Sequence, residues 1–372
     1  MSRRIRVLHI IKSLGRGGAE MLLPETLKLH DKEKFEFHYI YFLPWKDQMV
    51  GALIDNGGIV QCFDASNNLS IMLKAKAVSS YINSHCIDIV HAHLPWAGIV
   101  ARLVGRLSGV PVLYTEHNKQ ERYHFGTRFM NLATMNMLRE VIAVSHEVAV
   151  SISKHKPKLQ TPVRVISNGV NTDHFSKKLV DGSIVRKILN IPSDAPVIGT
   201  VSVFRSQKRL DLWLEIAAKI LQAKNKAHFV IVGDGPLREQ IIRKCDQLNV
   251  NDRVHLTGLI TEVRPYLAAF DVYMMCSKFE GMPVAMLEAM SMECAVISTD
   301  AGGIKEVIDH NANGMLCSVN DWETLSSFAV QLLDNKVLRS QFGEQGRKKV
   351  IANFSIGTLV GSLESLYLQI DS

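Results

Sequence analysis

The sequence predicts an α/β protein built from two Rossmann-like, doubly wound lobes that face each other across a cleft. Three observations carry that prediction. Short apolar runs alternate with helical patterns throughout the 372 residues, and a parallel strand covered on both faces reads as such a continuous run. The alternation breaks at a polar, charged stretch that ends Ile191-Pro192-Ser193-Asp194-Ala195-Pro196, and then starts afresh. The chain is also too long for one ordinary core. We therefore divide it into a first lobe (1–175), a linker (176–196), a second lobe (197–355) and an end helix (356–372) that crosses back onto the first lobe.

The first lobe opens with a buried strand, 6–11 (RVLHII), then a loop containing Gly15, Gly17 and Gly18, then a helical pattern through Leu29. Strand, glycine loop and helix form a βα unit in which backbone can approach an anion. The spacing Gly15-x-Gly17-x-x-Glu20 departs from the dinucleotide fingerprint at its last position, where Gly or Ala is wanted for close packing. Strands are expected at 37–42, 59–63, 87–91, 110–115, 141–144 and 163–166, and helices at 71–83, 97–107 and 145–153. His91, His93 and His117 then fall at the ends of neighbouring strands, where ligands gather in open α/β sheets. No acidic partner at metal spacing accompanies them, so His117 reads as a polar contact in a cleft and His91 as a buried histidine. The segment 119–140 carries Phe125, Phe129, Leu132 and Met135 at helical spacing among basic residues. It could lie on a membrane or an acyl acceptor, but a core-facing helix is preferred.

Charge divides unevenly. Residues 1–175 carry 21 Lys+Arg against 14 Asp+Glu, whereas residues 176–372 balance at 22 each. An anionic partner of the first lobe is one reading, whether an acidic membrane surface, a lipid pyrophosphate or nucleic acid; a merely basic soluble face is the other. No apolar stretch reaches the roughly 18–20 residues of a membrane helix. The basic start, Met1 to Arg6, leads into too short an apolar run for a secretion signal. Six cysteines, none closer than eighteen residues to the next, suggest neither zinc nor disulfides and point to a reducing cytoplasm.

The second lobe is expected to run strand 197–203, helix 210–222, strand 228–232, helix 237–248, strand 254–257, helix 263–269 and strand 272–275. Strand 295–299, helix 304–308, strand 314–317 and helices 337–352 and 356–370 complete it. The chemistry concentrates in Cys276-Ser277-Lys278-Phe279-Glu280-Gly281-Met282-Pro283-Val284-Ala285-Met286-Leu287-Glu288. Gly281 allows an unusual backbone angle and Pro283 suits the first position of a helix. The helix start offers free N–H groups and positive potential to phosphate. Glu288 lies about 7–8 Å further along that helix, beside an expected ribose. Other strand-end loops supply Arg205 and Lys208, suited to a diphosphate, and Gly258 with Leu259, where a base could stack. Leu359, Leu363 and Leu366 form an apolar face on the end helix that must be buried.

These motifs in this order resemble the retaining family-4 (group 1) glycosyltransferases of the GT-B fold over nearly the whole chain. The match rests on Glu280-x₇-Glu288, with Gly17-Gly18-Ala19-Glu20, His91-Ala92-His93, Thr115-Glu116-His117, Asn168-Gly169-Val170, Phe204-Arg205-x-x-Lys208, Gly233-x-Gly235-Pro236 and Gly302-Gly303-x-x-Glu306 around it. The resemblance implies that Arg205 and Lys208 hold a donor diphosphate and that Glu288 binds its ribose. It places Glu280 and the amides of Gly281, Met282, Pro283 and Val284 at sugar and phosphate, although Pro283 has no N–H of its own. It implies that His117 contacts the transferring sugar and that Gly17 and Gly18 approach the diphosphate. The first lobe would bind acceptor and the second the nucleotide sugar.

The implied reaction moves a hexose or N-acetylhexosamine from a nucleotide diphosphate sugar, UDP favoured, to a lipid-pyrophosphate-linked or glycan acceptor. Surface polysaccharide or lipopolysaccharide assembly at the cytoplasmic membrane face is the expected setting, with peripheral contact to anionic lipid. No nucleic-acid partner, metal or cofactor is expected, and the chain contains no Asp-x-Asp. Cys294, Asn171 and Met282 depart from frequent family residues, and Arg205 stands unusually close to Lys208. A nucleotide-sugar epimerase of the same fold and a non-catalytic sugar-nucleotide-binding protein are the alternatives; a dehydrogenase fits poorly.

Overall fold

A computed structural model describes residues 3–372, so Met1 and Ser2 of the basic start lie outside the described residues. The chain forms two units. The first runs to Gly169 and takes back Ile356–Ser372; the second is Val170–Ser355. Each is a parallel sheet with helices interleaved between its strands.

In the first unit the strands are β1 (Ile5–Ile10), β2 (Phe35–Tyr41), β3 (Ile59–Cys62), β4 (Ile89–His93), β5 (Val112–Glu116), β6 (Glu140–Ala143) and β7 (Val163–Val165). Their order is β3-β2-β1-β4-β5-β6-β7. In the second unit they are β8 (Val197–Val201), β9 (His228–Val232), β10 (Val254–Gly258), β11 (Val272–Met275), β12 (Ala295–Thr299) and β13 (Met315–Cys317), in the order β10-β9-β8-β11-β12-β13. Both sheets reverse direction of growth once, between β1 and β4 and between β8 and β11. A doubly wound sheet opens its loops apart at that point and leaves a crevice at the carboxyl ends of the strands.

The end helix, Ile356–Asp371, buries Leu359, Leu363, Leu366 and Tyr367 against the helix Gly18–Leu29 and β4 of the first unit. Glu364 accepts a hydrogen bond from the backbone N–H of Asp31 at 2.8 Å and sits 2.9 Å from the ring Nδ1 of His30. The expected linker is not bare chain. Residues 183–188 form a helix that packs against Arg264–Ala269, and Arg186 reaches Asp271 at 3.2 Å. The helix Thr324–Asp334, absent from the sequence expectation, covers β11 and β12 with Leu325, Ala329 and Leu332 buried.

One face of the first sheet is lined by histidine. His9 pairs in register with His91 across β1 and β4, and side chains two residues apart on a strand share a face, so His93 joins them. The sequence reading ended the strand at His91; the structure carries it through His93 and buries both. His91 is held between the Tyr367 hydroxyl at 2.7 Å and the Thr115 hydroxyl at 2.6 Å. Burial holds His9 and His93 well below the usual imidazole range, and lowers His91 to about 3 and His117, just beyond β5, to about 4.

These rings are therefore neutral when folded at pH 7, whereas the unfolded chain takes up protons below pH about 6.5. Between that pH and the folded values the unfolded state binds more protons, so stability is full above pH about 6.5 and falls with acidification. Going from pH 7.5 to pH 5 is expected to cost about 2 kcal/mol for each such imidazole. Urea unfolding at the two pH values, followed by hydrogen exchange of β1 and β4 amides, measures it; equal stability at both would refute a neutral cluster.

Candidate donor and sugar site

In the second unit the loops after β8, β9, β11 and β12 are laced together by backbone. Ser202 donates its N–H to Val232, Phe204 to Asp234 at 2.9 Å, Lys278 to Gln207 at 2.8 Å and Gly303 to Gly281 at 3.0 Å. Gly302 has φ +64°, and a Cβ there would overlap the carbonyl oxygen of Glu280. The left-handed backbone thus belongs to Gly302, while Gly281, expected to carry it, is not among the positive-φ glycines. Pro283 is the N-cap of the helix Val284–Ser291 rather than its first residue, and offers no side-chain cap. The first N–H groups of that helix accordingly have no partner within it, and its dipole favours an anion there.

Beside this helix start, Lys208 Nζ lies 2.6 Å from Glu280 Oε1, and the Ser277 hydroxyl donates to the same oxygen at 2.6 Å. Glu280 is buried, and Glu288, on the helix, is buried too. Lys208 reaches its place on a short 3-10 turn, Ser206–Lys208. Arg205 sits at the start of that turn and is exposed. Met282 and Pro283 are buried, and Val284 is half-buried. Gly258 closes β10 against Gly233 of the neighbouring loop, and Leu259 is exposed. Lys208, Glu280 and Gly281 are thus brought together, with Val284 and Glu288 on the following helix; the Arg205 carbonyl accepts from the Lys208 N–H at 3.0 Å, while Gly258 ends β10 and Leu259 follows it.

Three residues here were not singled out from sequence. Ser277 bonds Glu280, and its own carbonyl accepts from the Thr299 hydroxyl at 2.7 Å. Arg209, in left-handed conformation at φ +47°, donates to the carbonyls of Cys276 at 2.6 Å and Val319 at 3.0 Å. It ties the loop after β8 to the loop after β11. The only sequence signal was its place in a basic run that reads equally well as surface.

In the first unit Gly17 is the N-cap of the helix Gly18–Leu29, and a Cβ there would overlap the carboxylate of Glu20, which folds back over it. Glu20 also accepts from the Ser13 hydroxyl at 3.3 Å. His117 is half-buried and its Nε2 lies 3.3 Å from His93 Nδ1. Next to it, Glu116 is fully buried and accepts from the hydroxyls of Tyr114 and Tyr123, the amides of Gln120 and Asn131, and the Asn118 N–H. Burial raises the Glu116 pKa and those hydrogen bonds oppose the rise; burial prevails. Glu116 is the hub that pins residues 117–131 to β5, a role missed because its donors are scattered in sequence.

His9, His91 and His93 have ring nitrogens within 4.8 Å of one another, close enough to consider a shared ion. Both nitrogens of His91 are already engaged by Tyr367 and Thr115, and His9 Nδ1 lies 2.9 Å from His93 Nε2. An ion would have to displace those bonds.

The helix Phe125–Ala133 differs from expectation. Met135 is buried, but Phe125 and Phe129 stand 71% and 64% exposed with their rings stacked. Helical spacing told that the residues share a side; that side is not the core.

Comparison with known proteins bears on family and fold. Residues 16–174 match the family model described as Glycosyltransferase Family 4, and residues 183–349 match Glycosyl transferases group 1. The chain is 28% identical to the UDP-Gal:alpha-D-GlcNAc-diphosphoundecaprenol alpha-1,3-galactosyltransferase of Escherichia coli, with 81% of each chain covered. It is 28% identical to the N-acetyl-alpha-D-glucosaminyl L-malate synthase of Bacillus anthracis, covering 76% of this chain and 75% of that one. The fold is shared with Anabaena HepE in complex with UDP-glucose, at TM-score 0.87 and 18% identity, over 98% of this chain and all of that one. With both halves matched in order and the two sheets in the same architecture, the chain belongs to the group 1, family-4 glycosyltransferases of GT-B fold and is a glycosyltransferase.

Proposed function

We propose that this glycosyltransferase moves a hexose or N-acetylhexosamine, with retention and without a metal, from a UDP-sugar to a lipid-pyrophosphate-linked or glycan acceptor in surface polysaccharide or lipopolysaccharide assembly. One observation carries the reading: an uncapped helix start flanked by the Lys208–Glu280 pair, with Glu288 buried further along the same helix. The helix start and Lys208 suit the diphosphate, Glu288 the ribose hydroxyls and Glu280 the sugar. Arg205, being exposed, is the less constrained cation. Gly258 and Leu259 supply a surface for the base, Gly17 and Gly18 a close backbone approach to the diphosphate that requires the Glu20 carboxylate to move off Gly17, and His117 a contact to the transferring sugar. The family and the polysaccharide-related names of relatives, including a Rhizobium meliloti lipopolysaccharide core glycosyltransferase, support the setting.

Breaking the sugar–phosphate bond leaves an oxocarbenium-like centre and a diphosphate that gains negative charge. Preorganised donors at the helix start and at Lys208 favour that charge over the ground state. The acceptor hydroxyl attacks from the face the diphosphate leaves, and the leaving phosphate oxygen takes its proton. That route needs no carboxylate nucleophile, unlike a retaining glycosidase.

The anionic partner is proposed to be the cytoplasmic membrane face. No helix among the described residues is long and apolar enough to cross a membrane. The exposed Phe125 and Phe129, with Arg128 on the same helix, combine apolar area with positive charge, the pairing that favours interfacial binding.

Two measurements test this. Nucleotide diphosphate release from a panel of nucleotide sugars, with and without lipid-linked acceptor, is expected only for UDP-sugars with acceptor, EDTA-insensitive, and giving a product of unchanged anomeric configuration. Lys208→Ala should lose about 10²–10³ in kcat, Glu288→Ala should chiefly raise the donor KM, and His117→Ala should lose transfer, each with an unchanged circular dichroism spectrum. Full activity in Lys208→Ala would sink the diphosphate assignment. Separately, sedimentation with phosphatidylglycerol vesicles should show binding that weakens with salt and drops about tenfold in Phe125→Ser/Phe129→Ser; equal binding by that variant would remove the membrane role of this helix.

A further inference from the structure

His117 does not stand alone. Its Nε2 lies 3.3 Å from His93 Nδ1, and His93 Nε2 lies 2.9 Å from His9 Nδ1. The three rings come from three adjacent strands: His9 on β1, His93 on β4 and His117 directly after β5. His9 and His93 are stacked nearly parallel, 10° apart, and His9 also stacks on Tyr39. Packing of this kind leaves the rings little freedom to turn.

A neutral imidazole carries one N–H and one bare nitrogen. His93 spends both nitrogens on its two neighbours, so it must donate to one and accept from the other. If its Nδ1–H donates to His117, then its Nε2 accepts from His9, and His117 keeps its own proton on Nδ1. If His93 instead donates to His9, then His117 donates through Nε2–H and its Nδ1 is bare. The three tautomers therefore change together or not at all. Burial, which keeps the rings neutral, removes the protonated form that would otherwise break this coupling. In either sense Nε2 of His117 is occupied, and Nδ1 is the nitrogen left for a ligand.

We propose that His93 and His9 are positioning residues that fix the tautomer and ring orientation of His117, so that His117 meets the sugar through Nδ1 in one defined protonation form. This rests on the reading of His117 as a sugar contact. Its chemical consequence is selective: a single tautomer either donates to a sugar oxygen or accepts from a sugar hydroxyl, and an uncoupled ring would do both. Because His9 is two rings away, its effect on the sugar must pass through His93.

The test uses full-length protein labelled with ¹⁵N-histidine and read by long-range ¹H–¹⁵N spectra at pH 7.5, with His117 signals assigned from their absence in His117→Ala. In the wild type, His9, His93 and His117 are each expected as a single tautomer. His9→Phe keeps the ring volume and removes the nitrogens; it should convert His117 to a mixture and lower kcat about tenfold, a loss typical of removing a residue that orients a functional one, with donor KM within about twofold. His9→Asn, which retains a hydrogen-bonding group near the Nδ1 position, should restore most of kcat and the single tautomer. If His9→Phe leaves the His117 tautomer and kcat unchanged while His117→Ala is inactive, the positioning role falls and the reading of His117 stands. If His117→Ala retains full transfer, both fall. Should His9→Phe not fold, the wild-type spectra decide: mixed tautomers at His93 or His117 overturn the proposal.

Discussion

The second unit depends on two strand-end loops approaching backbone to backbone. Gly302 presses on the carbonyl of Glu280 so closely that no side chain fits between, and its φ of +64° is one that a side chain would itself resist. With the Gly303 N–H donated to Gly281, the loop after β12 acts as a template for the loop after β11. The same device recurs one crossover away, where a Cβ on Gly235 would sit 2.7 Å from the backbone nitrogen of Phe204. Arg209 adds the third tie. A phosphate seat made from N–H groups needs this support, because mobile amides would have to be ordered by the ligand at a cost in affinity.

The first unit is governed by desolvation instead. Several imidazoles share one buried face, and a proton on any of them would meet a low-dielectric surrounding and, if a second were added, a like charge within about 5 Å. Neutrality follows, and hydrogen bonds among the rings, Tyr367 and Thr115 then satisfy their polar atoms. The end helix is part of that solution, since Tyr367 comes from residues near the end of the chain. Glu116 is the counter-example on the next strand. It remains buried by gathering five donors.

What sequence revealed was local. Both sheets were legible because buried parallel strands are short continuous apolar runs, and β9, β11 and β12 coincide with the expected ranges. Glu280 and Glu288 were legible because their loop and helix are contiguous. What sequence could not show was pairing between distant strands. His9 is one polar residue in an apolar run until β1 lies beside β4, and Ser277 is ordinary until Glu280 turns back on it. Phe125 and Phe129 expose a different limit. Periodicity fixes which residues share a side of a helix, not whether core or solvent covers that side. The helix Thr324–Asp334 escaped because Ser326 and Ser327 interrupt its apolar pattern directly after Leu325 and read as loop.

The two units thus solve opposite electrostatic problems. A diphosphate that gains charge as a bond breaks calls for fixed cations and amides, and the second unit supplies a lysine whose place is set by a buried carboxylate. An oxocarbenium-like sugar would be repelled by a cation, and His117, proposed above to meet it, is a ring that burial keeps uncharged at neutral pH. If His117 meets the sugar as proposed, a proton on it would oppose the charge that develops there, so a solvent-exposed histidine with an ordinary pKa near 6.5 would serve less well. On the proposed reading of His117, the cost of burying several imidazoles is tied to the chemistry: burial keeps that ring neutral, and its hydrogen bond to His93 through Nε2 leaves Nδ1 for a ligand.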